Sequence, residues 1–91
     1  MKTKKQIQSK IKSITKEYSK LPQYSMFGDN NWRQRDIMLG ILSQALKQGK
    51  DWIDEQLEKM KDYYDGNFPE DEAEKRKIDT LDWLMGNIDE L

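Results

Sequence analysis

The 91-residue sequence contains no cysteine and no histidine. The first absence excludes disulfides, thiolate metal sites and thiol nucleophiles. The second removes the commonest general base at neutral pH and the commonest metal ligand. Any catalysis would have to be built from carboxylates, lysine, tyrosine, serine or threonine. No plausible nucleophile–base constellation can be named among them, so an enzyme is not expected and no cofactor or metal is implied. Only two prolines and five glycines interrupt the chain. Long apolar runs are also missing. No stretch approaches 18 consecutive apolar residues, and the N-terminal segment lacks the continuous apolar run of a signal peptide. The expectation is a cytoplasmic protein with no membrane partner.

What is abundant is charge, at 36% of residues, set against 35% hydrophobic and 10% aromatic residues. The aromatics and the periodic apolar positions argue for a folded domain rather than a disordered chain. A chain of this length is one domain. The net charge of -1 conceals an asymmetry. Residues 1–20 carry seven lysines against the single acid Glu17, whereas residues 51–91 carry fourteen acids and five bases.

The apolar spacing predicts an all-α fold of four helices. Ile7, Ile11, Ile14, Tyr18 and Leu21 recur every three or four residues from Thr3 to Lys20, on an arc of roughly 80°. Such a narrow stripe predicts a peripheral, Lys-rich first helix stopped by Pro22. The same stripe would also suit a coiled-coil-like seam, which keeps a homodimer open. After a Gly-Asp-Asn-Asn loop, Asn30 or Asn31 caps a second helix from Trp32 to Gln48. Its apolar residues, from Ile37 to Leu46, span roughly 200°, which predicts the central helix. Gly40 within it would be explained by a close backbone contact. Gly49 and Lys50 alone separate it from a third helix, Asp51 to Tyr64, so these two are expected to form a central antiparallel hairpin. The fourth helix is expected from Pro69, at its first position, to Gly86. Its apolar arc is Ala73, Ile78, Leu81, Leu84, Met85 and Ile88.

Several features bear on function. The segment Asp62–Glu72 has a calcium-loop flavour, with Gly66 at the sixth position and Asp65, Asn67 and Glu72 as ligands. Lys61 and Tyr63 occupy the first and third positions, where the loop needs carboxylates, so an ordinary Asp-Gly turn is the better reading. The acidic groups Asp51/Asp54/Glu55/Glu58 and Glu70/Asp71/Glu72/Glu74 read as helix caps and solvated faces. They could instead imitate nucleic-acid charge for a basic partner protein.

Trp83 falls outside the apolar arc of the fourth helix, beside Arg76, Asp79 and Thr80. It is therefore either a contact hot spot for a partner or a residue covered by the first helix. Tyr24, Phe27 and Trp32 cluster around the Gly-Asp-Asn-Asn loop, where aromatics ordinarily pin a loop to the core. The candidate partner-binding residues are thus Trp83, Arg76, Asp79, Phe27, Asp29 and Asn30. A second candidate surface is the first helix, where Lys4, Lys5, Lys12 and Lys16 would contact nucleic-acid phosphates. Arginine, the usual base reader, is absent there, and so is any Trp, Phe or Leu on the stripe before Leu21 that would favour a membrane surface.

The segment Leu21-Pro-Gln-Tyr-Ser-Met-Phe-Gly-Asp-Asn-Asn31, preceded by a Lys-rich helix, resembles a pattern found in small uncharacterised helical proteins of bacteriophages and other bacterial mobile elements. The closing Leu81-Asp-Trp-Leu-Met-Gly86 is similar to a helix end in the same sort of protein. The resemblance covers about a quarter of the chain. It implies a bacterial or phage cytosolic setting and no particular activity. The sequence thus favours a non-enzymatic interaction protein binding a host or phage protein, with nucleic-acid association through the first helix as the alternative.

Overall fold

Thr3 begins the folded chain by capping a helix. Its hydroxyl accepts from the Gln6 backbone, and the Gln6 side chain accepts from the Thr3 N–H at 2.8 Å. This reciprocal box satisfies two orphan donors and starts α1 (Lys4–Tyr18). The computed structural model describes residues 1–64 and 71–91, and among these it contains α2 (Asn31–Gln48), α3 (Lys50–Tyr64) and α4 (Glu72–Met85), with no strand. The all-helical class and the count of four helices follow the apolar spacing. The calcium-like loop and Pro69 lie largely outside the described residues.

α1 ends at Tyr18, two residues before the expected Lys20, because Ser19 caps it and its hydroxyl bonds the Lys16 carbonyl at 2.7 Å. The consequence is that Leu21 leaves the helical stripe and stands exposed. Ile7 and Ile14 are fully buried, with Ile11 and Tyr18 packed beside them. The stripe docks α1 on the core of its own chain.

α2 is the central helix, touching α1, α3 and α4. Met38, Leu42 and Ala45 are buried, and Ile53 of α3 and Leu81 and Leu84 of α4 join them in the same core. The main packing of α2 is with α4 and α1, and its contact with α3 is smaller. Sequence adjacency points to the α2/α3 pair. Burial points elsewhere, because the widest apolar surface of α2 needs two flanking helices. Gly49 links α2 to α3 with φ of 83°, a left-handed conformation that a side chain would strain. Gly40 has open space where a Cβ would sit, so no close backbone approach explains it.

The described part of α4 starts at Glu72, where the Asp71 carboxylate caps it by accepting from the Ala73 N–H at 3.0 Å. α4 corrects one expectation, because its buried face is rotated. Thr80 and Trp83 are buried together with Ala73, Leu81 and Leu84, while Ile78 and Met85 are only half-buried. At about 100° per residue, burial has turned by roughly 70° toward Trp83. Thr80 tolerates burial because its hydroxyl donates to the Arg76 carbonyl at 2.6 Å.

A polar clamp ties the helices at one end. Arg33 of α2 pairs with Asp71 and Glu74, and the Tyr64 hydroxyl donates to Glu74 at 2.7 Å. The hydrogen bond to Glu74, then desolvation, pushes the Tyr64 phenol up to about 12. Several acids of the C-terminal half thus serve as a cap or as ion-pair partners. Asp54 pairs with Lys50, Glu55 with Lys59 and Glu72 with Lys75.

Candidate protein-interaction site

Trp83 is only 5% exposed. Lys2 and Lys10 place their ammonium groups 5.1 and 5.2 Å from the centre of its ring. The Lys2 N–H also bonds the Leu84 carbonyl at 2.8 Å. The N-terminal arm and α1 therefore cover this indole, and the partner-contact role expected of it is corrected to a core role. Arg76 and Asp79, on the same side of α4, are half-buried, and among the described residues the buried Arg76 Nε has no hydrogen-bond partner. These three residues do not make an open surface.

The loop between α1 and α2 does. Its base is fastened by the Asn31 N–H to the Gln23 carbonyl at 2.7 Å and by the Asn31 side chain to the Pro22 carbonyl at 3.0 Å. Tyr24 and Asn30 form an antiparallel bridge. Ser25 organises the turn above it. Its N–H donates to the Asp29 carbonyl at 2.9 Å, its carbonyl accepts from Gly28 at 3.0 Å, and its hydroxyl accepts from the N–H groups of Phe27 and Asp29. Gly28 supplies the required φ of 86°. Asn30 then caps α2 by accepting from the Arg33 N–H at 3.1 Å.

This hydrogen-bonded turn holds Met26 and Phe27 out in solvent, at 97% and 90% exposure. Tyr24 and Trp32 are also exposed, with the Arg35 guanidinium 5.7 Å from the Trp32 ring. The aromatic cluster does not pin the loop to the core. The turn is fixed by backbone and Ser25 hydrogen bonds instead, which frees the side chains. Of the sequence candidates, Phe27 is at the tip, whereas Asp29 and Asn30 serve the scaffold that presents it. Met26 was missed. The available signal was its place between Ser25 and Gly28, inside the turn. Beside the loop, Gln23, Asn30, Trp32, Arg33, Asp36 and Ile37 border an open hollow of about 530 Å³.

The alternative candidates Lys4, Lys5, Lys12 and Lys16 are all exposed on α1, and among the described residues none is in an ion pair. Among the described residues no group of three or more acids is placed to hold a metal ion, and no helix is long and apolar enough to cross a membrane.

Compared with known proteins, the chain matches no family model, no curated protein and no solved structure.

Proposed function

We propose that this chain is a non-enzymatic interaction protein that docks on a partner protein through the loop joining α1 and α2. The observation that carries the reading is the presentation of Met26 and Phe27, almost wholly exposed, on a turn held by its own hydrogen bonds. Burying one such side chain is worth about 1.5–3 kcal/mol, which folding of this chain forgoes at both positions. Burial in a partner's pocket recovers it. Because the turn is already ordered, little conformational entropy is lost on binding. Methionine and aromatic anchors are the side chains that interface cores favour.

The bacteriophage or mobile-element setting and a cytoplasmic location belong to the same proposal. They are supported by the resemblance of residues 21–31 and by the missing cysteines. So does the pairing of α2 and α3 as an antiparallel hairpin, supported by the single-residue link at Gly49.

The test is affinity capture from a nuclease-treated bacterial lysate in high salt, followed by a binding titration with the captured protein. The Met26→Ser/Phe27→Ser variant is expected to keep the wild-type melting temperature and lose the captured protein. Capture unaffected by the double substitution, or no discrete protein captured by the wild type, overturns the reading.

A further inference from the structure

The outward face of α1 is built differently from the loop. At about 100° per residue, Lys5, Lys12 and Lys16 fall within roughly 40° of one another, with Ser9 beside them. All four are exposed. The line lies about 150° from the Ile7/Ile11/Ile14 stripe that docks α1 on the core. Lys2 and Lys10, which sit over Trp83, are not part of it. Glu17, the one acid of α1, is about 120° away around the helix. From Lys5 to Lys16 the line runs about 16 Å along the axis.

We infer that this lysine line is a sequence-independent docking surface for double-stranded nucleic acid, engaged through its phosphates. A duplex presents one negative charge per about 1.7 Å of its axis, so a 16 Å line of three cations always faces several phosphates. Lysines are compact point charges. With no arginine on α1, the surface has no bidentate reader for base edges.

Two other anionic partners fit less well. An amphipathic helix binds a bilayer through its apolar face, and here that face is buried in the core at Ile7 and Ile14. Helix α1 cannot enter a membrane surface without leaving the fold. A protein interface needs a desolvated apolar centre, and the arc of Lys5, Ser9, Lys12 and Lys16 contains no apolar side chain. The inference is independent of the loop. It uses no residue between Leu21 and Asn30, so either reading can fail alone.

The experiment is fluorescence anisotropy of a labelled random-sequence DNA duplex titrated with the full chain over a salt series. Three phosphate contacts predict a slope of about −2.7 in log K against log salt. That is about a 40-fold loss of affinity between 50 and 200 mM salt. The Lys5→Gln/Lys12→Gln/Lys16→Gln variant, checked for helicity by circular dichroism, is expected to flatten the slope to near zero. The Lys47→Gln/Lys59→Gln/Lys61→Gln variant, with the same change of charge elsewhere, is expected to keep it. The Met26→Ser/Phe27→Ser variant is expected to bind duplex as the wild type does. No binding at the lowest salt, or a slope equally reduced by both lysine triples, overturns the inference. So does binding to phosphatidylserine vesicles in place of the duplex.

Discussion

Substituting Trp83 separates a core role from a contact role most cleanly. The indole is nearly fully buried, in the same core as Ile7, Leu81 and Leu84. Removing a buried Trp or Phe side chain to Ala costs about 3–5 kcal/mol through lost transfer energy and the cavity left behind. The two ammonium groups over the ring add about 0.5–1 kcal/mol each. A domain of this length holds about 5–14 kcal/mol in all, at the usual stability per residue. Trp83→Ala should therefore remove about a third or more of the total and lower the melting temperature by at least about 15 °C. Phe27→Ala, at the exposed tip, should stay within about 0.5 kcal/mol of wild type. Thermal unfolding followed by circular dichroism at 222 nm reads both. If Trp83→Ala melts within about 3 °C of wild type, the indole is not part of the core and the reasoning fails.

Two further substitutions test the helices and the clamp. Gly40→Ala should raise stability by about 1 kcal/mol, because the helix gains propensity and the new methyl enters open space; urea unfolding checks it, and a loss of stability would reveal a contact at that position. Tyr64 is held protonated by Glu74, with its phenol raised from 10.0 to about 12. A raised folded-state pKa favours the protonated form, so its contribution is complete below pH 10 and fades as pH rises toward 12. Tyr64→Phe should thus be less stable than wild type at neutral pH, with the difference shrinking between pH 10 and 12; a constant difference across that window counts against the Tyr64–Glu74 bond.

The local rules of helix formation were legible in the sequence because they act over three or four residues. The Ile7/Ile11/Ile14 stripe, the wide apolar surface of α2, the Asn30 cap and the Gly49 break each follow from spacing or backbone chemistry within one turn. The capping box of Thr3 and Gln6 is equally local, because it needs only Ser or Thr followed three residues later by Glu or Gln. Tertiary structure decided what lies far apart in the chain. Whether Trp83 is a contact or a core residue depends on Lys2 and Lys10, more than seventy residues away. Which helices α2 packs against depends on the summed apolar area of its neighbours rather than on sequence adjacency. The exposure of Met26 and Phe27 has a local cause that hydrophobicity conceals. Hydrophobicity alone predicts that a Met-Phe pair is buried, and only the Ser25 turn, closed on Asp29 and Asn30, holds it in water.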